Sequence, residues 1–109
     1  MFYTFTQNNS GGYFIQNEDV DAYLIVEGYS EKDIERRAGK IVENYSEYCP
    51  CCGERWNISI FHKLDKEPMI YGTPVYEYNS KYTNEKAIIH YLNGTKGIVD
   101  LSMKTKEKL

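Results

Sequence analysis

No stretch of this 109-residue chain is long and apolar enough to cross a bilayer as a helix. It opens on Phe2-Tyr3-Thr4-Phe5, without the charged and apolar regions of a secretory signal. A small, soluble protein kept in a reducing compartment is therefore expected, and the glycosylation-type triplets at Asn8, Asn44, Asn57 and Asn93 carry no weight. The chain holds only 3 cysteines, all within four positions, which is a poor disulfide framework and reads better as reduced thiols or metal ligands. Positive charge is also scarce: 13 Lys and Arg against 16 Asp and Glu leave a net charge of −3. That balance makes nucleic acid an unlikely partner. The one basic run, Lys104, Lys106 and Lys108, fits a frayed tail over residues 103–109. Catalytic signatures are missing too. No Gly-x-Gly-x-x-Gly turn, phosphate loop or nucleophile beside a base is present, so the expectation is a protein without enzymatic chemistry.

Tyrosine is what the chain has in quantity, 11 of them against 4 Phe and 1 Trp. A residue with a large apolar body and a polar tip suits half-buried strand faces and contact surfaces. Residues 2–7 alternate aromatic and Thr, break at Asn8-Asn9-Ser10-Gly11-Gly12 and resume over 13–16, the pattern of a hairpin. Residues 20–26 read as a third strand, apolar enough to lie centrally in a sheet. Ser30 is a good N-cap with Asp33 three residues on, and Glu31, Asp33 and Glu35 suit the positive end of a helix dipole. Ile34, Ala38, Ile41, Val42 and Tyr45 then recur at helical spacing, one apolar stripe to lay on the sheet, with Arg36, Arg37, Lys40 and Glu43 facing outward. Gly39 weakens such a helix by about 1 kcal/mol relative to alanine, with close packing as the available reason. A strand over 58–61, a charged loop over 63–68, short extended pieces at 69–71 and 75–78 around Gly72-Thr73-Pro74, and a closing hairpin of 87–92 with 98–101 complete the pattern. The expected fold is a single α+β domain over residues 1–109. It comprises an antiparallel sheet of two hairpins plus a central strand, one main helix on one face, and a cysteine-knuckle loop.

That knuckle, Cys49-Pro50-Cys51-Cys52-Gly53, has the turn with which zinc ribbons present two thiolates to one metal. Cys49 and Cys52 have the required spacing, Cys51 is an extra thiol, and no second Cys-x-x-Cys exists to close the site. His62 could complete it, so a structural zinc on Cys49, Cys51, Cys52 and His62 stands beside buried reduced thiols and a redox dithiol as alternatives. Five polar or glycine residues over 8–12 make either a plain turn or a recognition loop offering donors and acceptors. Arg55 either pairs with Glu47 or Glu54 at the surface or grips a phosphate with its planar fork, and Trp56 packs beside the knuckle or meets a ring.

Residues 1–12, with Gln7-Asn8-Asn9-Ser10-Gly11-Gly12, and 49–56, Cys-Pro-Cys-Cys-Gly-Glu-Arg-Trp, together resemble the two hallmark segments of a family of small tailed-phage proteins. The resemblance implies a phage accessory protein acting in the cytoplasm of a bacterial host. Proteins of that class either block a host protein or soak up a nucleotide immune signal. The leading expectation is thus a counter-defence protein that sequesters a small nucleotide-like ligand, as a homo-oligomer, through Gln7, Asn8, Asn9, Ser10, Arg55 and Trp56. The alternative is an inhibitor that docks on a host or defence protein through its tyrosine-rich or acidic surface.

Overall fold

In the computed structural model, which describes residues 1–8, 14–45, 48–49, 53–80 and 85–101, the alternating N-terminal segment forms the edge of a four-stranded sheet. The elements run β1 (Phe2–Thr6), β2 (Tyr23–Glu27), α1 (Glu31–Val42), β3 (Tyr48–Cys49), β4 (Gly53–Glu54), β5 (Met69–Ile70), β6 (Thr73–Pro74), β7 (Lys86–His90) and β8 (Lys96–Asp100). The main sheet has the order β1-β2-β7-β8, and β3-β4 and β5-β6 form two small ribbons. This is an α+β fold, with no helix among the described residues long and apolar enough to cross a membrane.

The sheet is mixed, because β2 and β7 run parallel while β1-β2 and β7-β8 are antiparallel. Its centre is β2, whose residues are buried on both faces. Phe2, Tyr23, Ile25, Ala87, Ile89 and Val99 fill one face, under Ile70 and Val75. On the other, Tyr3, Phe5, Leu24 and Val26 meet Ile34, Ala38 and Val42 of α1, with Trp56 beside them. The helix begins where its cap predicts. Ser30 Oγ accepts the Asp33 N–H at 3.1 Å, and the Asp33 carboxylate accepts from Tyr29 N, Arg36 and Arg37. The Tyr29 N–H, then the Arg37 side chain, hold the Asp33 carboxyl down at about 2.

Beyond the parallel β2-β7 pair, which departs from the expected antiparallel sheet, further expectations need correction. β1 does not pair with residues 14–16; it pairs with β2, with Phe2 opposite Glu27 and Thr6 opposite Tyr23. A strand that is apolar on both faces buries more surface beside β1 than 14–16 would. Residues 75–78 are a turn rather than an extended piece, with Glu77 N and Tyr78 N both donating to Pro74 O. Gly39 is not there for close packing, since a Cβ built on it meets no atom within 4 Å. The tight spot is Gly28, between β2 and α1, where a Cβ would lie 2.5 Å from Ile34 Cγ1.

Candidate functional site

Of the residues expected to form a site, Gln7, Asn8 and Arg55 lie together. Asn8 N donates to Arg55 O at 2.8 Å, and one Arg55 amino group donates to Gln7 Oε1 at 3.0 Å and to Asn8 O at 3.1 Å. Arg55 is only 1% exposed, so neither the surface ion pair nor a surface phosphate grip describes it. Gln7 is buried with its amide fully used: Nε2 donates to Ile15 O and Asp21 O, and Oε1 accepts from Ile15 N and Arg55. The Asp21 carboxylate, also buried, accepts from Ala22 N, Lys86 N and Gln16, tying the start of β2 to the start of β7. Trp56 lies buried in the helix-side core, and no acceptor among the described residues reaches its indole N–H. The cluster of Gln7, Asp21 and Arg55 is therefore a polar knot that fastens four chain segments. Asn9 and Ser10 lie outside the described residues, as do Cys51 and Cys52. Of the knuckle, the structure describes the β3-β4 rung that closes its turn, Cys49 opposite Gly53. No group of three or more metal-ligating side chains occurs among the described residues.

A concave feature lies along the outer edge of β1. Gly28 N donates to Met1 O and Gln7 N to Ala22 O, so odd-numbered residues turn their backbone groups toward β2. Antiparallel alternation then turns those of Phe2, Thr4, Thr6 and Asn8 outward. Phe2 exchanges both bonds with Asp65, at 2.7 and 2.8 Å, and Asn8 meets Arg55. Between these two rungs the chain from Arg55 to Asp65 arches away, and no backbone partner among the described residues reaches the outward edges of Thr4 and Thr6. The arch alternates as its sequence predicts: Asn57, Ser59 and Phe61 line the space, while Ile58 and Ile60 pack on the helix side. It is not a paired strand, because its amides are taken elsewhere. Ile60 N donates to Glu35 Oε2 of α1 at 3.0 Å and Phe61 N to the Tyr3 hydroxyl at 3.1 Å.

The space enclosed is a cleft of 510 Å³, with the β5-β6 turn as its far wall. Thr4 Oγ1 fixes that wall by donating to Met69 O at 2.5 Å. Tyr71 and Gly72, with φ of 51° and 80°, form a two-residue turn with both central residues left-handed. Glycine takes that conformation freely, but a bulky side chain rarely does. The strained Tyr71 carries a ring that is 76% exposed and stands edge-on to Tyr23, centroids 6.2 Å apart. Beneath it Tyr23 is buried, which pushes its hydroxyl well above the ordinary tyrosine range. Across the opening stands Phe61, 70% exposed, followed by the exposed His62 and Lys63. Burial raises the Asp65 carboxyl at the closed end.

The model of a family described as a domain of unknown function, DUF7296, matches residues 1–107. The chain belongs to that family. Searches of curated proteins and of solved structures return no match. The family description assigns no activity.

Of the cleft residues, sequence reading singled out only His62, and as a metal ligand. Tyr71-Gly72 was the missed signal: a bulky residue directly before glycine, between two short extended pieces, marks a strained turn. The open rungs of Thr4 and Thr6 have no sequence signal, because they depend on where the arch goes.

Proposed function

We propose that this protein is a phage accessory protein that captures a small nucleotide-like ligand in the cleft beside β1 and holds it without chemical change. One observation carries the reading: a 510 Å³ cleft whose ends are closed by the Phe2–Asp65 and Asn8–Arg55 rungs, with open backbone rungs between. Pockets for small ligands span about 300–1,000 Å³. A strand from a partner protein would have to run along β1, and the closed ends stop it within a few residues. A compact ligand meets no such obstacle. The N–H and C=O of one outward residue make an adjacent donor and acceptor, the complement of a nucleobase edge. Tyr71 and Phe61 offer faces on which a base can stack, and Asn57 and Ser59 suit sugar hydroxyls. Lys63 supplies charge for a phosphate, and the His62 ring can offer it an N–H.

In this reading Gln7 and Arg55 shape the cleft from behind by pinning Asn8 and the start of the arch. Zinc on Cys49, Cys51 and Cys52 would brace the turn that leads into Arg55, with His62 then divided between metal and ligand. The setting is the cytoplasm of an infected bacterium, where removal of a nucleotide signal would blunt a defence.

Isothermal titration against cyclic dinucleotides, ADP-ribose derivatives and mononucleotides tests the reading. At least one should bind and be recovered unchanged by mass spectrometry. Tyr71→Asn and Lys63→Glu should each weaken it about ten-fold or more. Asparagine suits the left-handed turn, so Tyr71→Asn should leave thermal stability equal or higher. No heat with any of these ligands would sink the proposal.

A further inference from the structure

The arch keeps its alternation as far as its closing rung. Asn57, Ser59, Phe61, Lys63 and Asp65 line the cleft, while Ile58, Ile60 and Leu64 pack against the helix-side core. Asp65 is bridged to Phe2, so its side chain leaves the rung on the face of the sheet that Phe2 shares with Thr4. Tyr23 packs on that face and carries the Tyr71 ring, which sets the Asp65 carboxylate and Tyr71 on one side of β1. The Asp65 N–H and C=O are both spent on Phe2, but no hydrogen bond or ion pair among the described residues reaches its carboxylate. Burial without such partners pushes the carboxyl up. Each N–H that a ligand brings to it offsets part of that cost.

We propose that the cleft selects a guanine nucleotide, with the N1–H and exocyclic amine of the base donating side by side to the two oxygens of Asp65. This rests on the nucleotide reading of the cleft and narrows it to one base. The order of donors and acceptors makes the choice. An ionised carboxylate only accepts, and its paired oxygens suit two parallel N–H groups. Guanine places two such donors next to each other on its pairing edge. Adenine and cytosine set a ring-nitrogen lone pair beside their amine, and uracil flanks its one N–H with carbonyl oxygens. Each of those edges turns an acceptor against the carboxylate, which is rejection by repulsion. The next outward residue along β1, Thr4, presents the backbone N–H that the guanine O6 accepts. Charge fixes the orientation of the ligand. A phosphate at Asp65 would be repelled, whereas Lys63 is the one Lys or Arg on the described lining and suits a single phosphate.

Isothermal titration of the full chain with the 5′-monophosphates of guanosine, inosine, adenosine and xanthosine tests the assignment. The guanosine nucleotide should bind about ten-fold or more tighter than the adenosine one. The inosine nucleotide, which keeps the N1–H but lacks the amine, should fall between them. Asp65→Asn keeps the size of the side chain but puts an amide N–H where an acceptor stood. It should weaken the guanosine nucleotide about ten-fold or more and prefer the xanthosine one, whose edge offers one donor beside one carbonyl. A merely structural role for Asp65 would not produce that exchange of preference. Thermal melting should show Asp65→Asn no less stable than the wild type, because the variant removes a charge that has no partner among the described residues. Adenosine and guanosine nucleotides bound equally well would leave the nucleotide reading standing and overturn the choice of base. An Asp65→Asn variant that still prefers the guanosine nucleotide would do the same. If none of the four binds, the guanine assignment falls, and the titrations with cyclic dinucleotides and ADP-ribose derivatives decide the nucleotide reading separately.

Discussion

Replacing Gln7 by alanine would strand several buried polar groups at once. The Ile15 N–H and C=O, the Asp21 carbonyl and one Arg55 N–H all spend a hydrogen bond on that amide. Each buried group left unmade costs about 1–3 kcal/mol, with part of the sum recovered where water reaches the break. Gln7→Ala should accordingly lose about 3 kcal/mol in urea denaturation. A surface ligand contact behaves in the opposite way, losing affinity while stability stays within about 0.5 kcal/mol. The same comparison for Lys63→Glu, exposed on the arch, should show little change in stability. Together the two variants separate the knot from the cleft. If Gln7→Ala left the unfolding midpoint unchanged, the amide would not be the fastening that its contacts describe.

Two glycines carry opposite expectations at the scale of the helix. Gly39 has open space where a Cβ would stand, so Gly39→Ala should stabilise the protein by about 1 kcal/mol. Gly28→Ala instead drives a methyl into Ile34 and the Asp33 carboxylate at the helix start and should cost about 1–3 kcal/mol. Thermal melts of both variants check the pair. A destabilised Gly39→Ala or a neutral Gly28→Ala would contradict the packing described. The helix itself was legible in the sequence because its signals are local: the Ser30 cap, the acidic first turn and the Ile34-Ala38-Val42 stripe. The β7-β8 hairpin was legible for the same reason, since strand, turn and strand are contiguous. The partner of β1 was not, because two nearby segments both read as strands and only burial across the whole sheet chooses between them. Residues 57–61 show the same limit. Their alternation is that of a strand, yet Glu35 and Tyr3 hold the amides of Ile60 and Phe61, and no local pattern announces that. A buried Arg55 runs against the usual place of a charged residue at the surface. Its acceptors, Gln7 and Asn8, lie far away in sequence.

At the scale of the whole molecule, Asp19 is the point where distant parts of the chain are tied together. Its carboxylate accepts from Tyr45 beyond α1 and from Lys96 of β8, and its carbonyl accepts from His90 Nε2 of β7 at 2.8 Å. A carbonyl only accepts, so His90 carries its proton on Nε2. Burial lowers the imidazole below its ordinary 6.5, against the opposing pull of the Asp19 carbonyl, and the Lys96 ammonium lowers it further. A histidine whose folded-state pKa is depressed binds fewer protons folded than unfolded, so its contribution is complete above pH 6.5 and is lost as pH falls through the folded value. The urea midpoint should therefore rise with pH between about 5 and 7. With only 2 histidines in the chain, His62 being the other, His90→Asn isolates the effect. That variant should start from a lower plateau, having lost the tie to Asp19, and should show a flatter pH dependence over the same range. Equal slopes for the two proteins would mean that His90 does not couple protonation to the joining of β7, β8 and the turn at Asp19.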